Sequence, residues 1–372
     1  MSAPGYPPSY PEFKPRRFLS NGHLQTIFGN FLRRQDRLPE PVAQLVEVSP
    51  ARGRQIASQV LCHCHWQPLP ERPARPTVII LHGLEGSSRS QYVVGNANKL
   101  WSAGCNVIRM NMRNCGGTER LTPTLYHSGL SADVERVLHF FHQTQKLQSI
   151  SLIGYSMGGN LMLKLAGDLG RNAPPELRSV IGVSPAVDLQ ASADALHHWQ
   201  NRLYERRFLR ALLKRFRRKA MLFPHVFDPQ RGAHITSLRE FDDRITALYS
   251  GFQSADDYYF RAAAARVLDR IATPTLILHA LDDPFVRLIE PTRAVIAANP
   301  NITFIETTHG GHCAFLAQPD PANGNDGYWA EHSALRFIFE HAWTQTPAFP
   351  SRALTIGQHV ASEHQPDAPT GT

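Results

Sequence analysis

From about residue 55 onward, short apolar runs rich in Val and Ile take turns with longer amphipathic stretches. QIASQVLCHCHW alternates like a half-buried strand, and TVIILHG is a β-branched run that stops at Gly83. QYVVGNANKLWSAG has helical spacing and leads to the apolar strand CNVIRMNM. ADVERVLHFFHQT then precedes SISLIGYS, and MGGNLMLKLAGDL precedes SVIGVSP. After a long gap come PTLILHA, a helix EPTRAVIAAN, a strand ITFIETT and a last helix, YWAEHSALRFIFEHAW. Parallel neighbours need a crossover between them, and a helix serves as one. The alternation therefore predicts an α/β fold with a mostly parallel sheet and helices on both faces.

The gap, about residues 187–270, reads as helical. A structureless loop of that length is uncommon inside a compact domain, so a folded insertion is predicted. Its place between two strands makes it a cap over the edge where open α/β sheets bind ligands. The gap is also basic: Arg202, Arg206, Arg207, Arg210, Lys214, Arg215, Arg217, Arg218 and Lys219 sit among Leu203, Phe208, Leu209, Leu212, Leu213 and Phe216. Residues 1–16 and 345–372 are rich in Pro, Ser, Ala and Gly and read as flexible tails, leaving one domain over 17–344.

A chain of 372 residues fits two average domains or one large domain with an insertion. Its 42% hydrophobic and 19% charged residues exclude a disordered or fibrous chain. Lys+Arg 39 against Asp+Glu 31 gives +8, which invites an anionic partner, either nucleic acid or acidic lipid. The cysteines (Cys62, Cys64, Cys105, Cys115 and Cys313) are too irregular for a disulfide framework, and their odd number leaves a thiol free. That points to a reducing compartment. Prolines fill the N-terminus where a signal peptide needs an apolar core, and no run approaches the ~18 apolar residues of a spanning helix. A cytoplasmic protein is expected.

Gly154-Tyr155-Ser156-Met157-Gly158 carries the chemistry. It lies between a predicted strand and a predicted helix, where so sharp a turn needs glycines and holds Ser156 exposed at the helix N-terminus. A serine hydroxyl needs a base within hydrogen-bond reach, and in this arrangement the acid and the histidine follow the serine in chain order. Asp283, after the strand PTLILHA, fits the acid position, with Asp282 as its rival. His312, after ITFIETT, fits the base, with His309 as its rival; the tight turn at Gly310-Gly311 favours His312. Leu81-His82-Gly83-Leu84-Glu85-Gly86 follows the first strong buried strand. Such a loop supplies one backbone N–H of an oxyanion hole, assigned here to Leu84, while Met157 supplies the other. His82 reads as a structural hydrogen-bonding residue.

These residues together resemble the α/β-hydrolase superfamily, and within it the YheT-like (AB hydrolase-4) esterase family. Asn21-Gly22-His23-Leu24-Gln25-Thr26 is similar to that family's N-terminal GHxQT signature, and His82 to Gly86 to its oxyanion loop. Asn111 to Gly117 resembles its N-x-R-G-C-x-G segment, with Asn114 where Gly is usual. Tyr126 to Asp133 resembles its YHxGxxxD stretch, and Gly154 to Asn160 and Gly310 to His312 complete the match. The resemblance covers about residues 12–342. It implies an α/β-hydrolase fold with a helical cap after the sixth strand, and a serine carboxylic-ester hydrolase with a Ser156–Asp283–His312 triad. The substrate it implies is a small acyl ester or a lipid ester of short to medium chain. His127 and Asp133 are implied to be structural. An alcohol O-acyltransferase with the same acyl-enzyme and a non-catalytic lipid-binding protein are the alternatives.

Cys62-His63-Cys64-His65 invites a metal, but alternation along a strand sends the cysteines to one face and the histidines to the other. No metal, nucleotide or other cofactor is expected, since no G-x-G-x-x-G or phosphate-binding loop occurs. No nucleic-acid-binding module accompanies the basic cap. The cap reads either as a solvated helix face or as a peripheral contact with an anionic membrane at its inner surface.

Overall fold

The computed structural model describes residues 10–53, 55–321 and 324–342. A first helix, α1 (Gly22–Phe31), precedes strands β1 (Val42–Ser49), β2 (Ser58–His65) and β3 (Thr77–Leu81). Helix α2 (Gln91–Ser102), β4 (Asn106–Met110), α3 (Ser131–Gln145), β5 (Ile150–Tyr155), α4 (Met157–Leu169) and β6 (Leu177–Val183) follow in alternation. Then come five helices, α5 (Leu189–His197), α6 (Arg202–Leu222), α7 (Leu238–Phe241), α8 (Leu248–Ser250) and α9 (Ala255–Ala262). β7 (Thr275–Ala280), α10 (Glu290–Ala298), β8 (Ile302–Thr307) and α11 (Trp329–His341) complete the fold.

The strands form one eight-stranded sheet in the order β1-β2-β4-β3-β5-β6-β7-β8. β1, β2 and β4 pair antiparallel, and every pair from β4 to β8 is parallel. Successive residues of a strand face opposite sides, so a strand covered on both sides must be apolar throughout. β3 shows this: Val78 and Ile80 pack with α2 and α11 through Val93, Leu100 and Phe337, whereas Ile79 and Leu81 pack with α3 and α4 through Val137, Phe141 and Leu165. The strand has no solvent face. The predicted α/β-hydrolase fold is the one observed, and the cap helices do follow the sixth strand.

Three features differ from the sequence reading. β1 was not foreseen, because at the sheet edge only Val46 and Val48 of its eight residues are buried, which leaves too thin an alternation to read. α1 was seen only as a signature. Residues 10–16 do not behave as a tail: Tyr10 and Phe13 are buried, the Phe13 ring meets Phe315 and Trp329 edge-on, and Pro15 bridges to Ala317. Two aromatic anchors suffice there without any periodicity. The predicted tail 345–372 and residues 1–9 lie outside the described residues.

α4 approaches the sheet unusually closely. A Cβ on Gly154 would strike the Gly158 backbone, and a Cβ on Gly158 would strike the carbonyl oxygens of Leu81 and His82. Gly158→Ala is therefore expected to destabilise the fold by about 1–3 kcal/mol, as overpacking of a tight core does. A urea titration would read this as a lowered midpoint, and an unchanged midpoint would mean that helix and strand part without cost.

Candidate active site

Four loops converge at the carboxyl ends of β3, β5, β7 and β8, the edge at which open α/β sheets bind ligands. Ser156 occupies the turn from β5 into α4 with φ +54°. A positive φ costs a non-glycine residue on the order of 1–3 kcal/mol and persists only where the surroundings impose it. Here the Ser156 amide donates to Val183 O at 2.9 Å, its carbonyl accepts from Asn160 N at 3.0 Å, and the absent side chains at 154 and 158 permit the turn. The Asn160 side chain fixes the first turn of α4 by donating to Ser128 O and Ala262 O and accepting from Ala264 N.

Asp283 follows β7 and His312 follows β8. His312 Nδ1 lies 2.8 Å from Asp283 Oδ2, while Asp283 Oδ1 accepts from the amides of Phe285 and Val286. Burial works to raise the Asp283 pKa, but the His312 imidazole, then His279 and the Val286 amide, more than offset it, so the carboxyl lies below its ordinary value. For His312, burial works downward, and the Asp283 carboxylate with Cys313 overcomes it, so the net direction is upward. With Nδ1 held by the acid, Nε2 is the nitrogen left for proton transfer. Nε2 lies 3.5 Å from Cys313 Sγ, which lies 3.8 Å from Val183 O, the acceptor of the Ser156 amide. The imidazole and the Ser156 backbone are thus connected through Cys313 and Val183.

The rivals take other work. Asp282 Oδ1 accepts from Gly311 N at 2.8 Å and so braces the loop that carries His312. His309 lies 3.5 Å from the other oxygen of Asp282 at the half-exposed rim. His82 is buried, with Nδ1 2.8 Å from Gly83 O and Nε2 accepting from Met112 N. Burial pushes its pKa down to about 4, and both nitrogens are occupied, as a structural role requires. His127 accepts from Gly129 N, and Asp133 makes a two-pronged ion pair with Arg113. Asn114 has φ +66°, which explains a position where glycine is usual; asparagine tolerates this region better than most residues.

The loop after β3 presses its backbone on the serine: a Cβ on Gly83 would lie 3.0 Å from that of Ser156. The amides on either side of Leu84 are spoken for. Gly83 N donates to Tyr92 Oη at 2.9 Å and Glu85 N to Tyr126 Oη at 3.2 Å. The Leu84 amide has no acceptor among the described residues. Met157, as the first residue of α4, has an N–H with no intrahelical partner. The cap secures this loop from above. Glu85 accepts from Tyr126 Oη and, through two bonds of 2.8 and 3.0 Å, from Arg215 of α6, which also donates to Asn114 O.

Sequence reasoning missed how α1 serves the site. Asn21 caps the helix by accepting from the amides of His23 and Leu24. Gln25 is buried and makes three bonds, one to Leu19 O and two that pin the chain beyond His312, to Leu316 O and from Leu316 N. Thr26 Oγ1 accepts the His312 amide at 2.8 Å. The signal was the GHxQT resemblance, which sets Gln25 and Thr26 side by side without showing what they bind.

Ser156, Leu84 and Met157 line a cavity of about 130 Å³. That is close to the ~150 Å³ that takes a benzene-sized group. Its walls are mostly apolar, with Leu196, Phe208, Leu212, Phe216 and Phe241 coming from the cap. Asp242, on a π-helical turn joining α7 to α8, is a polar exception: burial pushes its pKa up to about 6, while hydrogen bonds from Thr246 and Tyr259 work against the rise. Among the described residues no cluster of His, Cys, Asp and Glu could hold a metal ion.

Residues 76–319 match a family described as the alpha/beta hydrolase fold. Over 311 residues the chain is 32% identical to the Escherichia coli (strain K12) protein named "Putative esterase YheT", covering 82% of this chain and 87% of that one. It is 31% identical over 247 residues to phospholipase ABHD3 of Mus musculus, covering 65% of this chain and 59% of that relative's length. Among solved structures, 2,6-dihydroxy-pseudo-oxynicotine hydrolase matches with a TM-score of 0.51 and 18% identity, over 81% of this chain and 68% of that one. This last likeness is one of fold.

The Glu85–Arg215 pair is largely buried, with 11% and 16% of its side chains exposed. Removing one partner of such a pair leaves the other charge uncompensated, at a cost on the order of 3 kcal/mol. Arg215→Met is expected to lower the urea midpoint accordingly. Adding Glu85→Gln to the same chain should recover part of the loss, and a double variant no more stable than the single one would show that the pair is not coupled.

Proposed function

The chain belongs to the α/β-hydrolase family, in its YheT-like esterase branch, and from that premise we propose that it is a serine carboxylic-ester hydrolase for short- to medium-chain acyl esters. The 2.8 Å contact between His312 Nδ1 and Asp283 Oδ2, beside a cavity that Ser156 lines, carries this reading. Relatives named esterase and phospholipase support ester hydrolysis as the reaction class.

Ser156 Oγ attacks the ester carbonyl carbon while His312 Nε2 takes its proton. Negative charge develops on the carbonyl oxygen, and the amides of Met157 and Leu84 donate to it. Asp283 stabilises the imidazolium and holds its orientation. Collapse of the tetrahedral intermediate expels the alcohol, which leaves with the proton from His312. Water then repeats the sequence on the acyl-enzyme and frees the acid. The small apolar cavity suits a short acyl chain, and its contacts with cap residues make chain length a property of the insertion.

Hydrolysis of p-nitrophenyl esters across acyl lengths tests this. Activity should peak at short or medium chains, and Ser156→Ala should lower kcat/KM by on the order of 10⁴-fold or more. Activity that survives Ser156→Ala, or its absence from a folded wild type with every ester, would overturn the proposal.

The pH profile offers a second test. Protonated His312 cannot take the serine proton, so activity is present above its pKa and lost as pH falls through it. Because the net shift is upward, the acid limb of kcat/KM should lie above the ordinary histidine value of about 6.5. Asp283→Asn removes the charge that raises it and should move the limb to lower pH while slowing turnover; a limb that stays in place would exclude Asp283 as the partner acid.

A further inference from the structure

The two helices that frame the site also share an outward face. On α1, Leu24, Ile27, Phe28 and Phe31 follow the i, i+3, i+4, i+7 spacing of one helical stripe, and all four are at least 40% exposed. α1 carries no Asp, Glu, Lys or Arg. On α6, Leu203, Arg207, Arg210, Lys214, Arg217 and Met221 recur every three or four residues and form a second exposed stripe. Leu203 and Met221, at its ends, are 79% and 75% exposed. The only acid in α6, Glu205, is buried beside His197 and the Leu238 amide.

The stripes adjoin. The Arg207 guanidinium lies 5.9 Å from the Phe31 ring, and His23 of α1 stacks on Tyr204 of α6 at 5.8 Å. None of Arg207, Arg210, Lys214 and Arg217 makes an ion pair among the described residues, whereas the inward-facing Arg215 and Lys219 of the same helix are bound to Glu85 and to backbone carbonyls. The cap's charge is thus divided: part fastens the cap and part is left unneutralised beside exposed apolar side chains.

We propose that this α1–α6 face docks on the surface of an anionic phospholipid bilayer, with the cations at the headgroups and Phe28, Phe31, Leu203 and Met221 entering the interface. Unpaired positive charge beside projecting aromatic and aliphatic groups matches the two layers of such a surface. Nucleic acid would answer the charge but not the apolar side chains. Docking is by a face: among the described residues no helix is long and apolar enough to cross a membrane. The face also lies close to the site. Tyr204 meets Phe285 at 5.2 Å and Phe285 meets the His312 ring at 4.4 Å. That a docked enzyme would meet lipid esters there rests on the function proposed above; the docking itself does not.

The full chain is sedimented with phosphatidylcholine vesicles, with and without phosphatidylglycerol, at low and high salt. Binding is expected with phosphatidylglycerol only, weakening as salt rises. Arg210→Glu with Lys214→Glu should lower vesicle affinity by on the order of tenfold or more. Phe28→Ser with Phe31→Ser should abolish the binding that persists in salt. Both variants should melt like the wild type and hydrolyse a soluble ester at its rate, so a failed esterase assay and failed docking are told apart. The proposal is overturned by equal binding to both vesicles, by no binding, or by variants that bind like the wild type. It is equally overturned if a nucleic-acid duplex binds and vesicles do not, or if the face proves to join two copies in a dimer that Phe28→Ser with Phe31→Ser dissociates.

Discussion

Backbone lies against backbone where α4 meets the end of β3, and the chemistry of the molecule is arranged around that contact. Gly158 rests on the carbonyls of Leu81 and His82, and Gly154 on Gly158 itself. With no side chain to separate them, the turn between β5 and α4 can close tightly enough to hold Ser156 at φ +54°. The same closeness brings Gly83 against the serine, and Leu84 and Met157 line one cavity with it. One steric condition therefore positions a nucleophile candidate and two candidate donors together. Strain at one residue is held in place by a sheet whose central strands are buried on both faces.

Much of this was legible because period and chemistry coincide. Each buried parallel strand is a short apolar run, each crossover an amphipathic stretch, and each candidate site residue follows a strand end by a few positions. Ser156, Asp283 and His312 stand on loops of one sheet edge because parallel strands present their carboxyl ends there, and His312 and Asp283 are in contact. Contributions from outside the repeating pattern were not legible in this way. β1 is an edge strand with two buried side chains, and Phe13 is held by two rings rather than by any periodicity.

Asp282 and Asp283 show a finer limit. Adjacent in sequence, both stand in the loop after β7 and both face a histidine. Their difference lies in burial and in which amides they accept. Asp283 is enclosed and takes the Phe285 and Val286 amides, which leaves one oxygen for His312. Asp282, half-buried, takes the Gly311 amide and steadies the loop from outside. The support from α1 was similarly hidden. Thr26 reaches His312 across 286 positions of sequence, and only a three-dimensional arrangement tells such an acceptor from an ordinary helical threonine.

The cap helix α6 divides its own charge. Nine basic residues stand among apolar ones, and spacing along the helix sorts those that turn inward from those that turn outward. Residues 208, 212, 215, 216 and 219 turn inward. Phe208, Leu212 and Phe216 wall the cavity, Arg215 grips the Leu84 loop through Glu85, and Lys219 donates to the carbonyls of Glu119 and Thr122. Burial lowers the Lys219 pKa to about 7. Residues 203, 207, 210, 214, 217 and 221 turn outward. A single rigid helix thus links the outer surface to the amide beside the serine. Whatever binds its outer stripe acts on an element that already holds the Leu84 loop in place.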